Sequence, residues 1–323
     1  MILVFLKQTP KSRAVADWIG ALLLAVGVGS LQMLLDRGNG DGWLQSNFII
    51  ALIFVSTFCL VAFAVRSYKR SDAILKLSLL RDHNLSTATF MIMAFGVGML
   101  STIALQPLFL EHLLGYPAST AGLVMAPRGI AVAMGMVFVA TTINRFEPRW
   151  LVLIGLTLAA AGTYATTWYN LDVDVFWIIA PGIVQGLGMG MIFVPLSTLA
   201  YQTLPQDATD QAAGIFNLAR TIGGSIGIAI AATVLTRASH SNWQTLGAGI
   251  DPYNPALAQW QDATGLTVPD PSAMQVLALE LSRQATMIGF LEAFGFVTLS
   301  FLLLIPLVLL LKKQGDAPRR SPI

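Results

Sequence analysis

The sequence predicts an all-α polytopic membrane protein with eight transmembrane helices, and three observations carry that prediction. Of 323 residues, 55% are hydrophobic and 11% are charged, less than half the roughly 25% of charged residues found in water-soluble domains. Apolar runs of the ~17–25 residues needed to cross a ~30 Å hydrocarbon core recur along the chain. Basic residues are sorted between alternate connections, as the positive-inside rule requires.

The runs cover residues 17–35, 48–65, 85–110, 121–143, 150–169, 176–203, 211–236 and 287–311. The first two form a hairpin over 17–66, closed by DRGNGDGW, whose Gly, Asn and Asp favour turns. A basic linker, 67–83, leads into six further spans over 84–312. Their connections are short except for the segment 237–286, read as a polar extracytoplasmic loop. Its DPYNP and TVPDP stretches are rich in turn formers. Its end, SAMQVLALELSRQATM, places apolar residues at helical spacing and runs on into the last span.

An even number of spans puts both termini on one side of the membrane. Fourteen of the 19 basic residues then share that side, among them Arg66, Lys76, Arg81, Arg145 and Arg149. Three, Arg37, Arg237 and Arg283, lie on the other side, and Arg128 and Arg220 lie inside spans. The bias places both termini in the cytoplasm. The bilayer is the expected partner, and nothing points to nucleic acid. The single cysteine, Cys59, excludes a disulfide or CxxC pair within the chain. No metal, haem or nucleotide spacing is present, so no cofactor is expected.

The two intramembrane arginines are the first candidate site residues. Arg220 lies about 13 Å in from the start of its span at 1.5 Å per residue. There a charge costs about 2.5–3.5 kcal/mol on an isolated helix and normally faces the bundle interior or a wet cavity. Two roles fit it: a cavity charge that steers substrate or tunes a neighbouring carboxylate, or a pin hydrogen-bonded to backbone carbonyls. Asn217, three residues earlier, shares its helix face. Arg128 and Glu292 enter from the same side to comparable depth. An ion pair between them relieves two burial costs, as a static brace or as a contact broken and remade during transport.

The sixth run holds Pro181, Gly182, Gln185, Gly186, Gly188, Gly190 and Pro195. Such a helix can bend and be approached closely, and broken helices line transporter sites. Gln185, Met189 and Phe193 are therefore expected to face a cavity. GGSIG at 223–227 matches the G-x-S-x-G nucleophile pattern, which needs a strand–turn–helix and a base within reach. Here it sits in a helical run, while His83, His112 and His240 are placed in or beside loops. Glycine-mediated helix contact, with Gly223 and Gly227 four apart, is the better reading, and no enzyme activity is expected.

Four stretches, DWIGALLLAVGVGSLQMLLDRG (17–38), AGLVMAPRGIAVAMG (121–135), IVQGLGMGMIFVPLSTLA (183–200) and FNLARTIGGSIGIAI (216–230), resemble the second half of EmrB/QacA-type transporters. These are fourteen-helix drug:proton antiporters of the major facilitator superfamily. The resemblance implies that the hairpin is the family's pair of linker helices and that 84–312 is its six-helix C-terminal bundle. Residues 1–16 would be the end of a preceding helix, with the N-terminal six-helix half missing from this chain, and 313–323 a cytoplasmic tail. The resemblance further implies proton-coupled multidrug efflux by alternating access in a bacterial cytoplasmic (inner) membrane. The proton gradient would be the driving force, and lipophilic or cationic drugs the cargo. A membrane-fusion adaptor and an outer-membrane channel would be partners. INRFEPRW (143–150) is similar to the family's cytoplasmic gate motif, with Arg145 retained and Asn144 in the acid's place. The alternative is a non-transporting membrane bundle that assembles with or regulates other membrane proteins.

Overall fold

The computed structural model describes residues 17–69, 75–205, 208–251, 253–268 and 270–310. The expected helix end at 1–16 and the basic tail at 313–323 lie outside them. The described residues form nine α-helices: α1 (Trp18–Gly38), α2 (Asn47–Lys69), α3 (His83–Leu108), α4 (Ala118–Thr142), α5 (Pro148–Thr166), α6 (Val175–Tyr201), α7 (Thr209–Ala248), α8 (Pro255–Thr264) and α9 (Pro271–Leu307). All but α5 and α8 are long and apolar enough to cross a membrane, so the chain is a multi-pass membrane protein. The remaining expected span, 150–169, is α5, with 19 residues. Its start, Pro148-Arg149-Trp150, and its Thr, Gly and Tyr positions dilute its apolar character, but it packs inside the same bundle against α6 and α9.

Side-chain caps set several helix starts by accepting otherwise unpaired N–H groups. The Asp17 carboxylate accepts from Gly20 at 3.0 Å and Asp82 accepts from Leu85 at 2.9 Å. Asp270 accepts from Ser272 at 3.0 Å, with Pro271 in the first helical position. Asp17 also pairs with Arg66 at 2.9 Å, clasping the start of α1 to the end of α2. Near the end of α3, Pro107 interrupts the ladder, and a wider turn follows over Phe109–Leu113, where Leu114 N–H reaches the Phe109 carbonyl at 3.1 Å.

The segment 237–286 is more helical than expected. α7 runs unbroken for 40 residues to Ala248, and α9 begins at Pro271. No proline or glycine interrupts TRASHSNWQTL after Gly227, so the helix continues past the end of its apolar run. His240 therefore lies within α7 instead of a loop. α9 stays against this extension: a Cβ at Gly289 would run into the Ser239 hydroxyl, and Asn242 donates to Glu292 at 3.2 Å.

Glycines set the helix spacing. A Cβ at Gly186 would lie 2.5 Å from the carbonyl oxygen of Arg128, and one at Gly135 2.5 Å from that of Leu187, so α4 and α6 touch backbone to backbone. On its other side α6 meets α5, where a Cβ at Gly162 would lie 2.6 Å from the Gln185 nitrogen. Gly223 and Gly227 meet the carbonyls of Met93 and Val97 on α3, as glycine-mediated contact predicts. Within the shared core, aromatic rings pack where the turn after α3 meets α9, with Phe109 edge-on to Phe290 at 5.4 Å and to Phe294 at 5.9 Å.

A side chain at Gly223 must displace the α3 backbone, whereas Gly295 has nothing within 4 Å of its would-be Cβ. Gly223→Ala is expected to lower stability by about 1–3 kcal/mol, and Gly295→Ala to leave it unchanged. Thermal unfolding of the two purified variants in detergent reads the difference.

Candidate functional site

Four helices enclose a cleft of about 390 Å³ that brings the two intramembrane arginines together. α3 supplies Phe95 and Met99, α4 supplies Met125 and Arg128, α6 supplies Met189 and Phe193, and α7 supplies Arg220. The wall is mostly thioether and aromatic, the kind of adaptable apolar surface that accepts varied shapes. Among the described lining residues the ionisable groups are the two guanidiniums, and none is a carboxylate. A larger cavity of about 560 Å³, lined by Tyr164, Trp168 and Trp177 with Asp172 and Asp174, lies at the α5–α6 turn, away from both arginines.

The two charges are handled differently. Arg128 is buried. It donates through Nη1 to Gln106 Oε1, and its Nη2 lies 3.5 Å from the Met189 sulfur. Gln106 is itself only 3% exposed, so this charge-assisted bond is shielded from water. Arg220 is half-buried. Its guanidinium lies over the Phe193 ring at 5.5 Å from the centroid, a cation–π geometry, and Nη2 reaches Asn217 Oδ1 at 3.4 Å. Its Nε is buried without a partner among the described residues.

Of the residues expected at a cavity, Arg220, Met189 and Phe193 line the cleft, and Asn217 supports Arg220 from the adjoining turn. Gln185 does not line it. Its side chain is 1% exposed, and its amide donates to Thr163 on α5 and, at 3.3 Å, to Thr102 on α3. It is a tie between three helices, because α6 is wedged between α5 and α3 at that level.

The expected Arg128–Glu292 pair is absent. α4 packs on α6, while α9 packs on α3, α5 and α7, so equal depth does not bring the two side chains together. Glu292 instead accepts from Asn242 of α7 at 3.2 Å. Asn144 and Arg145 are exposed on the α4–α5 turn. Gln106 escaped the sequence reading. Its signal was available: an uncharged amide in an apolar run, one helical turn from Thr102 and next to Pro107.

Membrane-crossing helices around a cleft that holds two guanidiniums are an arrangement that a membrane transporter can use. The comparisons agree. The Major Facilitator Superfamily model matches residues 11–228, and the chain belongs to that superfamily, whose members are transporters and not enzymes. The chain is 29% identical over 309 residues to fatty acid resistance protein FarB of Neisseria gonorrhoeae, covering 95% of this chain and 61% of that protein. It is 29% identical over 304 residues to multidrug export protein EmrB of Escherichia coli K12, covering 94% of this chain and 59% of the relative. It is 28% identical over 214 residues to colistin resistance protein EmrB of Acinetobacter baumannii, covering 66% and 42%. The chain thus spans about three-fifths of the first two relatives' length.

Because α4 and α9 are not neighbours, stability losses from Arg128→Met and Glu292→Gln are expected to add within about 0.5 kcal/mol. Arg128→Met and Gln106→Leu share a buried bond and are expected to couple by more than that. Double-mutant cycles on thermal unfolding measure both.

Proposed function

We propose that this chain forms one wall of an exporter that moves lipophilic drugs by proton-coupled antiport through alternating access. The observation that carries the reading is the cleft between α3, α4, α6 and α7, with methionine and phenylalanine walls and a guanidinium with spare donors. The relatives named for multidrug export and for fatty acid or colistin resistance support drug-like, membrane-soluble cargo. The part of the relatives that this chain does not span is proposed to supply the opposite wall of the cleft. The basic connections support an inner-membrane protein with cytoplasmic termini. The extension formed by α7, α8 and α9 is where an adaptor leading to an outer-membrane channel would dock.

The electrostatics of the cleft narrow the expected cargo. Two guanidiniums with no carboxylate among the described lining residues favour neutral or acidic lipophiles over cations. Arg220 is the group proposed to meet the cargo, since Arg128 is already engaged by Gln106. The proton is then carried by a group outside this wall, because arginine does not release its proton in the physiological range.

In the assembled permease, Arg220→Ala is expected to raise the half-saturating concentration of an acidic lipophilic substrate about ten-fold or more, the value of one hydrogen bond to a charged group. Membrane levels should be unchanged. Efflux assays with an anionic and a cationic dye, alongside membrane immunoblots, test this. Undiminished anionic efflux in the variant sinks the role of Arg220, and a preference for the cationic dye sinks the assignment of cargo.

A further inference from the structure

The α1–α2 hairpin touches the six-helix bundle at two levels. At one end Leu23, Leu24 and Phe63 pack with Ile215 and Leu218. At the other, Asn39 Nδ2 donates to Thr236 Oγ1 at 2.9 Å. Toward that second end lies a groove of about 490 Å³, bounded by Leu35 and Trp43 of the hairpin and by Ile226, Ile230, Val234 and Arg237 of α7.

Water is a poor occupant. The volume would hold more than a dozen molecules at about 30 Å³ each, and every one needs two to four polar partners. Away from Arg237 and the Trp43 indole at its polar end, the side chains of the wall offer one hydroxyl, Thr233, which already donates to the Ala229 carbonyl at 2.7 Å. Nor does a groove of this size at a membrane protein's surface stay empty, because its lining would forgo its packing contacts. The surrounding solvent, hydrocarbon, is what remains.

The groove also has a polar end. From Ile226 to Arg237 the helix rises about 16 Å at 1.5 Å per residue, close to the roughly 15 Å depth of one leaflet's hydrocarbon. Arg237 stands exposed at the top of this apolar length. Among the described residues it makes no ion pair, the pair there being Arg66 with Asp17. The Trp43 indole lines the same groove, and tryptophan is enriched at the membrane–water interface. A chain-length apolar slot ending at a free guanidinium and an indole matches an acyl chain topped by a phosphate.

We propose that this groove is a binding site for an anionic phospholipid of the leaflet on the side of the α1–α2 turn. One acyl chain lies along α7 between Ile226 and Val234, and the phosphate bonds to Arg237. The lipid fills the gap between hairpin and bundle and so acts as part of the interface.

Native mass spectrometry of the purified full chain in a neutral detergent, titrated with phosphatidylglycerol, tests the site. Arg237→Gln is expected to weaken binding about five-fold, the worth of one basic side chain near an anionic headgroup. Arg283→Gln, which alters an exposed arginine elsewhere on the same side of the protein, should leave binding unchanged. Thr233→Phe, which fills the groove and keeps the charge, should also reduce retention. Equal retention by wild type and Arg237→Gln overturns the proposal. So does an equal loss in Arg283→Gln, which would mean general charge attraction. Displacement of the phospholipid by an equimolar single-chain fatty acid would also overturn it, because the groove would then be a carboxylate site.

Discussion

The structure depends on backbone-to-backbone contact at glycine. In hydrocarbon, helices gain little from hiding apolar side chains from one another, so close packing and small residues must hold them together. Here Gly186 faces the carbonyl of Arg128, and Gly96 faces the carbonyl of Arg220. The contacts that fasten α4 to α6 and α3 to α7 therefore also fix the backbone positions from which both guanidiniums project. Enlarging either glycine would move a charge as well as a helix. Bundle assembly and placement of the cleft's charge are one constraint, met by the same atoms.

The two arginines differ in what surrounds them. Arg128 has a buried amide and a thioether within reach, which offset part of its desolvation and leave it little freedom. Arg220 has an aromatic face, a longer bond to Asn217 and an Nε without a protein partner among the described residues. A donor left unpaired in a low-dielectric cleft is costly until an acceptor arrives. The first arrangement holds its guanidinium on two sides, and the second leaves Arg220 the more weakly tethered of the two, in keeping with the role proposed for it.

Much of the bundle was legible in the sequence because bilayer thickness imposes a length on every spanning run. That length reports where hydrocarbon ends, which is not where a helix ends. Hence α7 could outrun its apolar segment to Ala248 and displace the expected polar loop, since nothing in TRASHSNWQTL breaks a helix. The glycine contacts of α7 were legible for a related reason: Gly223 and Gly227, four apart, must share a face whatever they touch.

Lateral position was not legible, and the candidate site shows why. Depth can be counted along one helix at a fixed rise per residue, so Arg128 and Glu292 could be placed at one level. Which helices are neighbours depends on how all the faces pack together, and α4 and α9 are separated by that packing. Gln185 and Gln106 make the same point from opposite directions. Both are amides in apolar runs and both lie near a proline, yet one ties three helices together and the other holds an arginine at the cleft. What distinguishes them is the identity of the side chain across the interface, and that information is held by another segment of the chain. A polar residue in a membrane span announces that a partner exists, and only the packing of the helices says which one.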